Sequence, residues 1–402
     1  MKRFLNFVIL YFSFFTTSYA SVGLADWPVR EYGLGMLGWL LLFIILSIVC
    51  LIQILRILYF LFLKKYKKIY RILKFTIIGV VSTLFINYLS QVTHELIAGD
   101  YIIFNQKQLE ELGNKKKITI RGDLLIGEVN DLSSLSTIEK IKGDLIFSFE
   151  DNDYNHNPQD LHSLKGLNNL KFIGGNLIIK ETSLRNLKGL DNLSNIDGNF
   201  MVERNQRLKN LNGIEKLKKV NSLYIRYNES LNSLKGLDYL TLSENLIISS
   251  NKLIKTLEHL GNYTTINRLN ISSNPKLNSL KGLENLREIK NDLKLSGNKN
   301  LHSLSALRNI TKIGGDLKLT QNTNITSLNG LENLKTIKGN LEIGTYKPLT
   351  KSKREREFDY GNKKLSDFCA LKNTQILGEV HIKNNLFNPN TEEIYSNCSD
   401  KH

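Results

Sequence analysis

The chain has 402 residues, so it is longer than one typical domain. Its formal net charge of +16 first suggests that it binds nucleic acid. Residues 1–90 hold ten Lys or Arg against two acids, a net charge of +8, and the remaining 312 residues share the other +8. Half of the excess therefore lies beside apolar segments, and we take the rest to be spread along a mixed-charge surface. This distribution argues against nucleic-acid binding.

Residues 1–20 have the features of a secretory signal peptide. Lys2 and Arg3 precede the apolar run Phe4 to Phe15, and small residues follow at Ser18 and Ala20. The alternative is an uncleaved first membrane span, because aromatic residues extend almost to the cleavage position.

Two further apolar segments, residues 34–63 and 72–90, are predicted to be transmembrane helices, since a bilayer needs about 20 apolar residues. The loop between them, residues 64–71, carries five Lys or Arg, which places it in the cytoplasm by the positive-inside rule. We therefore predict an integral membrane protein in contact with membrane lipid. Everything after residue 90 then lies on the extracytoplasmic side of the plasma membrane.

Residues 118–344 repeat the pattern Leu-x-[Ile/Leu/Val]-x-x-Asn every 23 or 24 residues. The regular repeats begin at Leu177, Phe200, Leu223, Leu246, Leu269, Leu293, Leu317 and Leu341, after less regular ones at Leu124 and Leu145. One repeat cannot bury its apolar side chains alone, so repeats stack. The pattern predicts a mainly β fold, a right-handed parallel β-solenoid, preceded by the α-helical membrane segments. Residues 91–117 are a linker and N-terminal cap, residues 345–362 a basic insertion, and residues 363–402 a C-terminal cap.

An asparagine follows each predicted strand at the same period. Its amide can satisfy backbone groups of its own coil and the next one, which would otherwise be buried without partners. This predicts a structural ladder formed by Asn205, Asn228, Asn251, Asn274, Asn298 and Asn322.

The entry sequence Asn105 to Leu124 and units such as Gly314-Gly315-Asp316-Leu317-Lys318-Leu319 resemble the receptor L domain, over about residues 105–398. The resemblance implies a leucine-rich-repeat-like fold of the bacterial surface type, anchored in the membrane, with ligand binding outside the cell. The chain departs from animal receptors of this family because its coils lack cysteines and no kinase segment is present.

Cys369 and Cys398 bracket the terminal segment. By resemblance to the ends of bacterial proteins of this class, they would form a disulfide that closes the C-terminal cap in an oxidising compartment. The alternative is a pair of free thiols.

Motifs for catalysis or metal binding are incomplete. The sequence from Gly33 to Gly38 fits G-x-G-x-x-G but opens a membrane span, and His94-Glu95 lacks the second His of a zinc protease. Residues 151–157 resemble a calcium loop, but His156 stands where Gly is needed. We expect no enzyme activity, no catalytic residue, no metal site and no cofactor.

The residue between the two inward apolar positions of each strand should face outward. This gives a column whose first members are apolar, and we expect it, with Arg226 beside it, to bind a partner. The predicted partner-binding residues are Ile178, Met201, Tyr224, Arg226 and Ile247. One alternative is that these residues are apolar only because such residues favour β-strands. The other is that the insertion at residues 150–160 covers them.

The predicted function is a membrane-anchored extracytoplasmic recognition or adhesion module that binds a protein or glycan through its solenoid face. The alternative is a non-catalytic cell-envelope scaffold that self-associates through the same column. The basic segment Lys351 to Arg356 is a second candidate contact, for anionic lipid or polysaccharide, or simply a solvated loop.

Overall fold

A computed structural model describes residues 80–81, 99–113, 118–147, 160–261, 263–344, 361–396 and 398. The chain divides into two units, Met1–Ser90 and Gln91–His402. In the first unit only Val80 and Val81 are described, and they are helical. The predicted signal peptide, the span at residues 34–63, the basic loop and nearly all of the second span lie outside the described residues. Within the described residues, no helix has the length and hydropathy needed to cross a bilayer.

The second unit is a parallel β-solenoid, as the repeat period predicts. Its largest sheet, sheet A, contains twelve described strands in strict chain order, each paired in parallel with the strand of the next coil. These strands are Tyr101–Asn105, Leu124–Glu128, Leu145–Phe147, Leu177–Lys180, Phe200–Glu203, Leu223–Arg226, Asn245–Ser249, Arg268–Ser272, Leu293–Ser296, Leu317–Thr320, Leu341–Ile343 and Val380–Ile382. Sheet A therefore begins within the predicted N-terminal cap and ends within the predicted C-terminal cap.

Two narrower parallel sheets lie on the return side of the coils. Sheet B contains Ile118–Ile120, Ile138–Ile141, Phe172–Ile173, Asn195–Ile196, Lys219–Val220 and Thr241–Leu242. Sheet C contains Thr265–Ile266, Glu288–Ile289, Lys312–Ile313, Thr336–Ile337 and Gln375–Ile376.

Short helices complete the described coils and their ends. The α-helix Gln106–Gly113 buries Leu109 and Leu112, and the α-helix Thr391–Ser396 buries Ile394. Asn390 and Glu393 cap the second helix reciprocally, because each side chain accepts the other's backbone N–H, at 2.9 and 2.8 Å. Three 3₁₀ turns occur at Ser133–Leu135, Ser305–Leu307 and Cys369–Leu371.

A return segment of the form Leu-x-Gly-Leu needs its glycine. At Gly282 the backbone has φ of +112°, and an added Cβ would lie 2.0 Å from the Leu257 carbonyl oxygen of the preceding coil. Neither the dihedral angle nor the space tolerates a side chain there. His259 occupies this position one coil earlier with φ of +71°, and this coil lies where sheet B ends and sheet C begins.

The predicted asparagines form a continuous buried hydrogen-bond ladder. The Oδ1 of each accepts the backbone N–H of the equivalent residue one coil earlier, at 2.9–3.2 Å, and its Nδ2 donates to the carbonyl of an earlier inward strand residue, at 2.9–3.0 Å. Thr182 begins the ladder, and Asn362 and Asn385 continue it past the insertion. All six predicted members are fully buried. The ladder therefore supplies hydrogen-bond partners to buried backbone groups that water cannot reach.

A second ladder precedes the strands of sheet A. The polar side chain just before one strand accepts the backbone N–H of the equivalent residue in the next coil, as Asp123 Oδ1 does from Asp144 at 2.7 Å. The acceptors are Asp100, Asp123, Asp144, Asn176, Ser222, Asp292, Asp316 and Asn340. Where both ladders are present, the strands of sheet A are thus held in register near both of their ends.

The residue immediately before Thr182 and before each of the six predicted ladder asparagines adopts a left-handed backbone. Its φ is close to +55° in several coils and +69° at Gly297. Glu181, Arg204, Tyr227, Ser250, Ser273 and Gln321 are the non-glycine members in the regular coils. This tight bend turns the chain out of sheet A so that the following amide can enter the core.

We expect Asn251→Ala to lower the free energy of unfolding by about 3 kcal/mol, because it leaves the Asn228 N–H buried without a partner and removes the amide donor to the Ile225 carbonyl. Urea unfolding of the full chain in detergent measures the loss. The control is Asn232→Ala, which removes an exposed asparagine from a neighbouring coil. Equal losses from the two substitutions would contradict a role for burial.

Ser273→Val should lower the free energy of unfolding by about 2 kcal/mol, since a β-branched side chain is strained at its φ of +56°. Ser273→Gly should not lower it, because glycine already occupies this position at residue 297. The same urea titration distinguishes the two substitutions. If glycine were as damaging as valine, the left-handed bend would not be the cause.

Candidate functional site

Sheet A has an inner and an outer face because successive side chains of a strand point to opposite sides. In the central coils, both inward side chains are fully buried, as Leu223 and Ile225 are, whereas Tyr224 between them is half-buried. Parallel pairing aligns the outward residues of adjacent strands into an outer column. Its members are Ile102, Leu125, Ile146, Ile178, Met201, Tyr224, Ile247, Asn270, Lys294, Lys318, Glu342 and His381.

The structure places four of the five predicted partner-binding residues, Ile178, Met201, Tyr224 and Ile247, in direct succession in this column. All four are half-buried. The fifth, Arg226, lies two residues after Tyr224 on the same strand and also faces outward.

The apolar part of the column is longer than the sequence repeats suggested. Ile102, Leu125 and Ile146 continue it across three earlier strands, and Ile102 is 53% exposed. These residues fall in coils of irregular spacing. The alternation of inward and outward residues in the strands that begin at Leu124 and Leu145 could have predicted Leu125 and Ile146 from the sequence. We call the seven residues from Ile102 to Ile247 in this column the apolar column.

The apolar column crosses seven adjacent strands, which gives a length of roughly 29 Å at about 4.8 Å per strand. It is one side chain wide. On one flank lie Lys180, Glu203, Arg226 and Ser249, and on the other lie polar residues of the second ladder.

Arg226 is held by its own neighbours. Its Nε donates to Glu203 Oε1 at 2.7 Å, and its guanidinium lies 5.3 Å from the centre of the Tyr224 ring. Arg204 is engaged in the same way, with Glu181 at 3.1 Å and the Tyr227 ring at 5.8 Å. Each contact places a guanidinium against a tyrosine ring, which stabilises that position of the ring. Arg226 therefore orders the edge of the apolar column and does not present an unpaired charge.

Beyond Ile247 the outer column becomes polar and charged. Lys318 donates to Glu342 Oε1 at 3.1 Å and lies 3.2 Å from Asp316 Oδ2. Partial burial opposes the charge on Lys318, but the hydrogen bonds to both carboxylates outweigh it and raise the pKa of the ammonium. Glu342, although it belongs to the outer column, is only 8% exposed.

Cys369 and Cys398 form a disulfide, with 5.3 Å between their Cα atoms, which confirms that prediction. The bond joins the last 3₁₀ turn to the end of the terminal helix. Phe368 next to it packs edge-on against Phe387, with 6.3 Å between ring centres. The described C-terminal end is therefore closed covalently as well as by packing.

The described coils contain no group of three His, Cys, Asp or Glu side chains able to hold a metal ion. The calcium-like segment at residues 151–157 and the basic segment Lys351 to Arg356 lie outside the described residues.

Residues 287–387 match the family model of the receptor L domain. No curated protein sequence matches the chain. The family match and the parallel solenoid together fit a receptor-L-domain, leucine-rich-repeat-like protein. The chain therefore carries a fold of the binding type.

We expect Cys398→Ser to lower the free energy of unfolding by about 3 kcal/mol, because the disulfide closes a loop between residues 29 apart in sequence. Urea unfolding of the full chain without reductant measures this loss. Dithiothreitol should bring the wild-type protein to the same midpoint.

The matched control is Cys50→Ser, which removes the third cysteine of the chain and should leave the unfolding midpoint unchanged. A wild-type midpoint that does not respond to dithiothreitol would refute the stabilising role of the disulfide.

Proposed function

We propose that the chain is a membrane-anchored recognition module that binds a protein partner outside the cytoplasm through the outer face of sheet A. The observation that carries this proposal is the apolar column, in which seven half-buried or exposed apolar side chains lie on adjacent strands. A continuous apolar surface of this kind is unusual on a soluble face without a partner. The receptor L domain match supports ligand binding as the role of the fold.

Tyr224 and Met201 are the best anchors within the column. Both are large, central and half-buried, and aromatic and methionine side chains are enriched at protein interfaces. The Arg226 contact limits the motion of Tyr224, so less side-chain entropy is lost when a partner binds. The paired charges beside the column would form the polar rim of the interface.

The extracytoplasmic location rests on two features of the chain. The basic loop at residues 64–71 lies between two apolar segments, so the positive-inside rule directs the following residues outward. The Cys369–Cys398 disulfide is of a kind that persists in oxidising compartments and is rare in the cytosol.

Site-specific photo-crosslinking tests the binding face. A photoreactive amino acid at Ile178 should form a covalent adduct with a different protein in intact cells, identified by mass spectrometry. The same group at Tyr239, which is 73% exposed on a return segment, is the control and should not form that adduct.

The yield of this adduct should fall at least about tenfold in the double variant Met201→Ser, Tyr224→Ser, because two anchors of the interface are lost. The double variant Tyr239→Ser, Leu377→Ser removes two exposed apolar side chains from other surfaces and should leave it intact. Adducts only with a second copy of the chain would favour the self-associating scaffold. Adducts of equal yield at Ile178 and Tyr239 would contradict binding through the outer face of sheet A.

Protease accessibility tests the location. In intact cells, an external protease should digest the solenoid, and Cys369 and Cys398 should resist alkylation until a reductant is added. Protection of the solenoid until the membrane is permeabilised, together with two reactive thiols, would place it in the cytoplasm and contradict the proposal.

A further inference from the structure

A second surface of the solenoid carries a concentrated positive charge. It consists of the exposed side chains between the ladder position of each coil and the leucine that opens the return segment, and we call it the turn face. In the regular coils it comprises residues 182–187, 205–211, 228–234, 251–257, 274–280, 298–304, 322–328 and 362–368.

The turn face holds nine Lys or Arg against two acids, Glu229 and Asp367, a net charge of +7. The cations are Arg185, Arg207, Lys209, Lys252, Lys255, Lys276, Lys299, Lys363 and Lys364, and all are exposed. The return segments that follow these turns, residues 188–196, 212–220, 235–242, 258–266, 281–289, 305–313, 329–337 and 369–376, carry eleven Lys or Arg against seven acids, a net charge of +4. The turn face is therefore the more positive of the two surfaces, and acids offset few of its cations.

The fold forces these cations to one side. A fully buried leucine or isoleucine lies in each turn, such as Leu208, Ile254 and Leu277, and its neighbours must point outward. Backbone hydrogen bonds keep the turns in register, for example from Lys209 N to the Arg185 carbonyl at 3.0 Å and from Asn278 N to the Lys255 carbonyl at 2.9 Å. The backbones of Arg185 and Lys209, which occupy equivalent positions of adjacent coils, thus lie about 4.8 Å apart along the axis.

The densest part is a cluster of four lysines on three consecutive coils, Lys252, Lys255, Lys276 and Lys299, whose turn segments 251–257, 274–280 and 298–304 contain no acid. Lys252 forms an ion pair with Glu229 of the preceding coil. Within the described chain, the other three form no ion pair. The net positive charge of these three turns favours the binding of a polyanion.

The chemistry of the neighbouring side chains narrows the class of polyanion. Amides such as Asn232 and Asn300 are exposed among the cations and can hydrogen-bond to hydroxyl groups. The eight turn segments, all of them described, expose no aromatic side chain, since their one aromatic residue, Phe368, is buried. The face therefore lacks the stacking platforms typical of single-stranded nucleic-acid sites and the aromatic anchors typical of membrane interfaces.

We propose that the turn face binds a linear, negatively charged polysaccharide that lies along the solenoid axis. Carboxylate groups of the polymer interact with the lysines, and its hydroxyl groups interact with the exposed amides. The turn face uses different residues from the apolar column, so this proposal does not depend on the proposed protein-binding function.

Fluorescence anisotropy of labelled polygalacturonate oligomers, titrated with the full chain in a neutral detergent, tests this proposal. We expect saturable binding at low salt that weakens about tenfold or more when salt is raised severalfold, because exposed charges are screened. Neutral dextran of the same length should not bind. Absence of saturable polygalacturonate binding at low salt would overturn the proposal.

The test variant replaces Lys209, Lys255, Lys276 and Lys299 by Gln. The control replaces Lys218, Lys219, Lys335 and Lys338 by Gln, which removes the same charge from exposed lysines on and beside sheets B and C. The test variant should bind polygalacturonate about tenfold more weakly, whereas the control should change little. Unchanged urea midpoints establish that both variants are folded.

Equal weakening in the two variants would show that net charge alone attracts the polymer and would overturn the proposed face. Tighter binding to duplex DNA, or to vesicles containing phosphatidylglycerol, than to polygalacturonate would assign the turn face to another class of ligand and would also overturn the proposal.

Discussion

The solenoid depends on satisfying backbone groups that its own coiling buries. After the strands of sheet A from Leu177–Lys180 to Leu317–Thr320 the chain bends sharply inward through a left-handed residue, and the next residue places its backbone N–H in the core. One asparagine per coil meets this need, because its amide accepts from one coil and donates to the carbonyl of another. An unsatisfied buried group costs about 1–3 kcal/mol, so a ladder repeated through the coils decides whether this stacking is stable. The second ladder provides side-chain acceptors for backbone N–H groups at the other end of the strands.

Registration of the coils turns a linear repeat into surfaces. Because strands pair at identical positions, each outward position becomes a column, and a run of similar residues along the sequence period becomes a patch of defined chemistry. The apolar column and the turn face are two such patches, carried by different positions of the same coils. One offers apolar burial, and the other offers long-range charge. A recognition module can therefore present two kinds of contact without any loop devoted to binding.

Charges on sheet A and charges on the turn face are managed differently. On sheet A, Arg226 and Lys318 are paired with carboxylates of neighbouring strands, and Arg226 also covers an aromatic ring. These pairs are partly shielded from solvent, which makes their geometry more definite than that of most surface ion pairs. Within the described chain, three lysines of the turn face, Lys255, Lys276 and Lys299, form no ion pair. The charges on sheet A are thus paired, whereas the turn face keeps a net positive charge.

The period, the parallel solenoid and the buried asparagines could be inferred from residue order. Each depends on a local requirement that few residue types meet, such as an amide at a buried bend, so the same residue type recurs at the same interval. The pairing of Cys369 with Cys398 was implied only by the resemblance to bacterial proteins of this class. The second ladder could not be predicted from the sequence, because Asp, Asn and Ser can all accept the same backbone hydrogen bond and no single residue type marks the position. The full length of the apolar column, the pairing of Arg226 and the clustering of lysines required the fold. They depend on which side chains of a turn point outward and on which coils become neighbours, and coils of unequal length hide that alignment until the backbone is stacked.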